Sequence, residues 1–580
     1  MTGEWLLANG LGGYALGPRT GPATRGYHGW LVAATEPPDG RRLMVGSIDT
    51  MATIDGLEHR LDELELAPGE ADRDGVRIRL EAWMPRDANA TCLRWTRTDD
   101  GTAAVTLRLV PWLVGRDHHP QDGLAVEPES VAISADGTSA TVAWPADRAV
   151  PTLHLSVDGG RLVADERAGW VDYPEEVARG TATGETHHAR VAIEASLAPG
   201  AAVSVVLSVI DGSRAPLPDP GDLDVVAAVE EARRRDLVHR AGPAATDPRV
   251  APLVLAADRF LVHRPDPRAT NPADGITVIA GYPWFGDWGR DTMIALPGLT
   301  LTTGRHDDAR RILRTWASLV QDGLLPNHFP EAGVPAYHAI DAPLWFVHAL
   351  GAFERATGDA TIAHELRPAV EQITRAYADG TGFGIGVDRD DGLVRGGEPG
   401  LQLTWMDAKV DGVVMTPRHG KPVEIQALWI ETCRLAAGWA NVDGDDAAES
   451  AHRSNAHRAV ESFRARFPIA GRGFLHDLVD GPDGDDPSLR PNQLLALSLV
   501  PDLVDDGLAA SVLDIVDTHL VVPGAIRTLA PFEPGYHRSF QGPPVVRDAA
   551  YHQGAAWTWL LGPWLDATAR VRGRTAAREA

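Results

Sequence analysis

"DDARRILRTWASLVQ", residues 307–321, sets Ala309, Ile312, Leu313 and Trp316 three and four residues apart. That repeat marks one face of an α-helix, because strand side chains alternate instead. From about residue 248 onward the same period keeps returning. It recurs in "PLVLAADRFLVHR" (252–264), "APLWFVHALGAFERATG" (342–358), "RPAVEQITRAYADG" (367–380) and "EIQALWIETCRLAAGWA" (424–440). "AHRSNAHRAVESFRARF" (451–467), "LRPNQLLALSLV" (489–500), "LAASVLDIVDTHL" (508–520) and "AAWTWLLGPWLDATARV" (555–571) continue the series. Several of these begin after Asp or Pro, or end on Gly, as helix termini do. About ten helices can be drawn, joined by loops rich in Trp, Asp, Gly and Pro, with no short helical repeat between them. A closed ring of helical hairpins, with function in the loops, fits this better than a solenoid.

Residues 1–215 follow a different pattern. "VRIRLEAW" (76–83), "VTLRLVPWLV" (105–114) and "ATVAW" (140–144) alternate apolar and polar residues, and "AAVSVVLSVI" (201–210) is a more continuous apolar run. Gly, Pro, Asp and Asn clusters separate them, which predicts an antiparallel β-sandwich. "DGSRAPLPDPGD" (211–222) breaks the pattern, and "LDVVAAVEEARRRDLVHR" (223–240) has helical spacing. The expected organisation is therefore a β-sandwich domain over 1–215, a linker with a helix over 216–247 and a helical domain over 248–580.

The bulk numbers narrow the function. At 580 residues, 44% apolar and 23% charged, the chain reads as a two-domain globular protein. No apolar run is long enough to span a bilayer, and "MTGEWLLANGLGGY" (1–14) lacks the features of a secretory signal. Cys92 and Cys433 form neither a disulfide framework nor a zinc site, which suits a reducing cytoplasm. The formal charge of −26 argues against nucleic acid and anionic membranes as partners and favours a neutral substrate. Arginine outnumbers lysine 52 to 2.

Many of the 17 tryptophans lie in loops beside acids. "GYPWFGDWGRDTM" (281–293) holds Trp284, Asp287, Arg290 and Asp291. "GLLPNHFPEAGVPAYHAIDAPLWF" (323–346) holds Glu331, Tyr337, Asp341 and Trp345. "LQLTWMDAK" (401–409) holds Trp405, Asp407 and Lys409, "APFEPGYHRSF" (530–540) holds Glu533, and "VRDAAYHQGAAWTW" (546–559) holds Asp548, His552 and Trp557. Sugars account for such a mixture, since aromatic rings cover their C–H faces while carboxylates and Arg take their hydroxyls. Glycoside hydrolysis needs two carboxyls flanking the bond, one as acid and one to activate water or attack. Asp407 suits the acid, because Trp405 and Met406 desolvate it and so favour its protonated form, against Lys409 if that residue points inward. Two carboxyls suffice for this chemistry, so no metal or organic cofactor is expected. "GFGIGV" (382–387) lacks the βαβ setting of a nucleotide loop, and the His pairs 118–119 and 187–188 read as surface histidines.

Several strings together resemble the bacterial and archaeal glycogen-debranching, amylo-α-1,6-glucosidase family. They are "NGLGGYALGPRTGPATRGYHGWLVAA" (9–34), "WFGDWGRDTMIALPGL" (284–299), "GLLPN" with "IDAPLWF", "TWMDA…TPRHGKPVEIQALW" and "RDAAYHQGAAW". The resemblance covers nearly the whole chain, in order. It implies an N-terminal antiparallel β-sandwich followed by an (α/α)6 barrel, and an inverting glucosidase that removes glucose from α-1,6 branch stubs. By that resemblance Asp407 of "TWMD" matches the family's general acid. "WGRD" is similar to the glucoamylase "WTRD" motif, making Arg290 and Asp291 binders of the terminal glucose, and Tyr337 and Asp341 match a similar glucoamylase segment. Trp284, Asp287, Trp345, Trp405, Lys409, Glu424 and His552 complete the expected sugar-binding set. Eukaryotic relatives resemble "HQGPEW", with a catalytic Glu where this chain has Ala556. Glu533 is the substitute base, ahead of Glu424 and Asp548.

The eukaryotic enzymes also join a transferase to this glucosidase, and no second catalytic barrel fits in 580 residues. An exo-α-1,4-glucosidase of glucoamylase type or a glucosidase for a small oligosaccharide, and a glucan-binding protein without hydrolysis, are the competing readings. The partner expected is an α-glucan or malto-oligosaccharide, and the oligomeric state is left open. "GLGGY" and "TRGYHGW" read as tight turns, or as loops reaching the substrate pocket.

Overall fold

The computed structural model describes residues 3–65, 67–119, 125–265, 275–329 and 334–579, so Glu331 lies outside the described residues. The chain divides into two compact units, Met1–Asp287 with Gly298–Arg305, and Trp288–Pro297 with His306–Ala580.

The first unit is built on two antiparallel sheets. One runs Glu4–Ala8, Tyr14–Pro18, Gly29–Glu36, Asp39–Ile54, Val105–Asp117, Gly184–Ser196, Arg161–Asp172, with Leu57–Arg60 paired to the end of Asp39–Ile54. The other runs Ser130–Ile133, Ser139–Ala143, Leu153–Asp158, Ala202–Val209, Asn89–Arg97, Val76–Trp83, Gly69–Arg73. Alternation sends Trp30, Leu109 and Ile193 from the first sheet and Leu93, Trp95, Leu155 and Val205 from the second into one shared apolar core. The same alternation corrects the reading of the histidine pairs. Neighbouring residues of a strand face opposite ways, so within Gly184–Ser196 His187 is buried, against the Tyr173 hydroxyl at 2.9 Å, and His118, just past the end of Val105–Asp117, is buried as well.

"GLGGY" is the turn between the first two strands. Gly12 has φ +98°, and a Cβ there would sit 2.3 Å from the Pro38 carbonyl oxygen, so glycine is required. Helix α1 (Leu223–Arg240) and helix α2 (Val250–Phe260) also fall in this unit, and the division comes later than the composition change suggests, between Asp287 and Trp288. The helical period of 252–264 stops at Phe260, and Leu261–His263 pairs as a strand with Ile276–Val278.

The second unit is helical. Its longer helices are α3 (Gly289–Leu296), α4 (His306–Ala317), α5 (Ala342–Thr357), α6 (Thr361–Asp379), α7 (Val423–Val442), α8 (Asp446–Arg466), α9 (Gln493–Leu499), α10 (Asp506–His519) and α11 (Leu561–Arg572), with short helices at Pro544–Ala549 and Arg574–Glu579. Helices α3, α5, α7, α9 and α11 pack one against the next, and α4, α6, α8 and α10 cover them as the second members of hairpins. Sequence explains the two layers. Helices α5 and α7 are buried nearly all round, whereas α4 buries one face, Ala309, Ile312, Leu313 and Trp316 with Thr315 beside them. "GFGIGV" forms a short turn at Gly382–Gly384 and a two-residue strand, Gly386–Val387, against Val394–Arg395. Among the described residues no helix is long and apolar enough to cross a membrane.

Candidate active site

The loops that lead into α3, α5, α7, α9 and α11 meet through their side chains. Arg290, in the first turn of α3, joins two of them. Its Nε donates to Asp341 Oδ2 at 2.6 Å, and its Nη1 donates to Asp407 Oδ2 at 2.9 Å. Asp341 immediately precedes α5, and Asp407 lies in the loop between α6 and α7. The guanidinium is buried, with a side chain 6% exposed, and three carboxylates act on it, because Asp291 follows it in the chain. One cation therefore serves three acids.

That imbalance tunes the acids. Burial pushes Asp407 above the ordinary carboxylate range, and the Asp341 charge adds to it, against the pull of Arg290. Burial likewise raises Asp291 to about 6, opposed by Arg290 and helped by Asp407. Asp407 keeps 23% of its side chain exposed, and Oδ1 accepts no hydrogen bond from another described residue. Asp341 is 1% exposed, and its Oδ1 is buried without a partner. The cluster therefore presents free acceptor oxygens on Asp341 and Asp407, and two carboxyls, Asp291 and Asp407, that hold their protons above the ordinary carboxylate range.

A stability consequence follows for Asp291. Its folded-state pKa exceeds the unfolded value, so the folded chain keeps a proton that the unfolded chain releases, and stability falls as pH rises from 3.8 to about 6. Asp291→Asn is thus expected to raise Tm more at pH 7.5 than at pH 4, measured by thermal unfolding. An equal change at both pH values would contradict the assignment.

Around Asp407 the support is aromatic and polar. Trp405 is buried, and its Nε1 donates to Asn492 Oδ1 at 2.8 Å. Its ring meets His552, Trp557 and Trp559 edge-on at centroid distances of 5.3, 6.0 and 5.0 Å. His552 is buried and stacks on Trp557 at 18° between planes. Burial, with the nearby Arg490, Arg290 and Arg418, drives the imidazole well below its usual pKa, so it is neutral. Arg490 Nη1 holds the His552 carbonyl at 2.8 Å, and Arg490 Nη2 donates to Gln553 Oε1 at 2.8 Å.

The remaining expected residues divide. Glu533 is half-buried, its Oε1 accepts from the Leu489 amide at 2.9 Å, and its charge is felt by Arg490. Tyr337 donates to the Leu319 carbonyl at 3.0 Å. Lys409 is exposed and donates to the Gly400 carbonyl at 2.9 Å, so it does not oppose the desolvation of Asp407. Trp345 is buried within α5, edge-on to His348. Glu424 is fully buried and gripped through both oxygens by Arg418, which also pairs with Asp477 at 2.9 Å. Its carboxylate is therefore a structural anchor rather than a free sugar ligand. Asp548 pairs with Arg547 at 2.8 Å. Trp284 and Asp287 belong to the first unit. Asp287 is fully buried with both oxygens on Arg264, and Trp284 packs near Tyr27 beneath the guanidiniums of Arg25 and Arg179.

Sequence reading missed Arg418, Asp477, Arg490 and Asn492, which tie Glu424 to Trp405 in one buried chain. Asn492 Nδ2 donates to Asp477 Oδ1 at 2.8 Å. The visible signal was the pair of polar residues in "LRPNQLL", set against an apolar helix start.

Comparison with known proteins identifies the family and the fold. Residues 255–579 match the amylo-alpha-1,6-glucosidase family, and residues 3–77 and 71–204 match the glycogen debranching enzyme N-terminal family. The chain is 25% identical over 378 residues to the glycogen debranching enzyme of Saccharomyces cerevisiae, covering 50% of this chain and 25% of that protein. The chain thus spans about a quarter of the length of that relative. A bacterial glucoamylase crystallised with acarbose shares the fold, with a TM-score of 0.55 at 13% identity over 98% of this chain and 86% of the other. This is the architecture of an antiparallel β-sandwich followed by an (α/α)6 barrel, and fold and matches together define a glycoside hydrolase. The chain belongs to the amylo-alpha-1,6-glucosidase family.

Proposed function

We propose that the second unit is an inverting exo-glucosidase that removes single α-1,6-linked glucose stubs from glycogen-type α-glucans. The carboxylate set on Arg290 carries this reading, with Asp407 held by one oxygen and free at the other. Asp407 protonates the glycosidic oxygen through Oδ1 as the bond to C1 breaks. Glu533 takes a proton from a water that attacks C1 from the opposite face, so the first product is β-glucose. Arg290, Asp291 and Asp341 receive the hydroxyls of the terminal glucose, with the vacant Asp341 Oδ1 as one acceptor. Trp405 and His552, wedged among the other rings, keep the acid's loop in place rather than stacking on the sugar. The family match and the yeast debranching relative support the branched substrate, and the acarbose-bound glucoamylase supports a pocket for a terminal sugar.

Glu533→Gln tests the base. Its glucose release is expected to fall about 10²–10⁴-fold, the usual worth of a general base, with dextrin affinity kept. Undiminished turnover in this variant would move the base elsewhere. Comparing rates on α-1,6 and α-1,4 oligosaccharides decides the linkage, and faster α-1,4 cleavage would make the chain a glucoamylase-type enzyme.

A further inference from the structure

The second unit also contains a cleft of about 830 Å³ that the proposed reaction leaves unassigned. Arg527, Tyr536, Arg538, Phe540, Tyr551 and Trp557 line it. Its wall depends on Gly554, whose φ is +136° and where a Cβ would lie 2.2 Å from the His537 carbonyl oxygen and 2.9 Å from the Tyr536 ring. Only glycine lets the 530–540 segment lie this close, so the cleft is a built feature.

Two of its side chains lack a counter-charge. The site's other arginines are engaged: Arg290 by Asp341 and Asp407, Arg418 by Glu424 and Asp477, and Arg490 by carbonyls and Gln553. Arg527 is half-buried, yet it makes no side-chain hydrogen bond or ion pair with any described residue, and neither does Arg538. Strand register gives the reason for Arg527. It stands directly across from Ala556, where a methyl group occupies the position from which a carboxylate could pair with it. A chain with a net charge of −26 has acids in excess, so two unanswered guanidiniums in one cleft form a local cationic site. Guanidinium matches phosphate geometry, and the flanking rings offer faces for sugar C–H groups. Trp557 lines this cleft and also packs on Trp405, two residues before Asp407.

We propose that the cleft is a subsite for a phosphorylated sugar unit, a glucosyl residue whose phosphate monoester is held by Arg527 and Arg538 and whose ring lies among Tyr536, Tyr551 and Trp557. This rests on the reading that the terminal glucose lies at Arg290. The enzyme would thereby accept, and prefer, glucan chains carrying an anionic ester beyond the scissile bond.

The test is calorimetric titration of the full chain with maltohexaose, with maltohexaose bearing one 6-phosphate, and with inorganic phosphate alone. Wild type is expected to bind the phosphorylated oligosaccharide at least about tenfold tighter than the neutral one, as charge-assisted bonds to a phosphate imply. Inorganic phosphate alone is expected to bind far more weakly than either. In the Arg527→Gln, Arg538→Gln double variant the preference should vanish while circular dichroism and Tm match wild type. Equal affinity for the two oligosaccharides in wild type, or a preference that survives the double substitution, would overturn the proposal. Inorganic phosphate binding as tightly as the phosphorylated chain would do so too, by making this a free-anion site. Glucose release from a neutral branched dextrin is measured separately. Its absence beside an intact phosphate preference rejects the hydrolase reading and upholds the subsite.

Discussion

Asp407→Asn is expected to lower glucose release from a branched dextrin by about 10²–10⁴-fold, the usual contribution of a general acid. The substitution keeps the shape of the side chain and an oxygen to accept from Arg290 Nη1, so dextrin affinity should change little. The loss should depend on the leaving group. Protonation matters most for a poor leaving group such as a sugar hydroxyl, and little for fluoride. The Asp407→Asn enzyme is therefore expected to retain far more of its rate on α-glucosyl fluoride than on dextrin. The pH profile supplies a second readout. Burial lifts Asp407 above 3.8, so the protonated, active form persists above that pH and activity falls as pH rises through the shifted value. That alkaline limb should disappear in the variant. Equal losses on both substrates would reassign Asp407 to sugar binding.

Arg290→Met should have the largest effect on stability. The guanidinium is buried between Asp341 and Asp407, beside Asp291, and its removal leaves carboxylates facing one another without a cation. Breaking a buried ion pair from one side costs about 3–5 kcal/mol, so the second unit should unfold at markedly lower temperature. Because the penalty is charge repulsion, lowering the pH to 4 should restore part of the lost Tm as the carboxyls protonate. Arg290→Lys keeps the charge but not the two-directional hydrogen bonding, and should recover stability more than activity. A Tm deficit independent of pH would point to lost packing rather than lost charge.

Much of the architecture was readable because it rests on local periodicity. Residues 424–440 predicted the buried helix Val423–Val442, and 76–83 predicted a strand with those bounds. The candidate site was less readable, because motifs record proximity in sequence and not direction in space. Asp287 and Asp291 share one motif, but the helix begins at Gly289, so Asp287 lies outside it and is taken by Arg264. Glu424 begins a helix as expected, yet Arg418, six residues earlier, folds back onto it. Trp345 was visible as a loop-adjacent aromatic, but the turn of α5 directs it inward. Asn492 was visible only as a polar residue at an apolar helix start, since its role is set by Trp405, 87 residues away. Such long-range partners arise only on packing.

Hydrolysis of an α-1,6 glucosyl bond with inversion, by Asp407 as acid and Glu533 as base, is the proposal on which the rest depends. The most direct measurement is proton NMR of glucose released by wild type from a limit dextrin carrying single-glucose α-1,6 stubs, followed from the first seconds. β-Glucose is expected to form first and later to mutarotate. Release of α-glucose first, or saturable dextrin binding with no glucose at all, would contradict it.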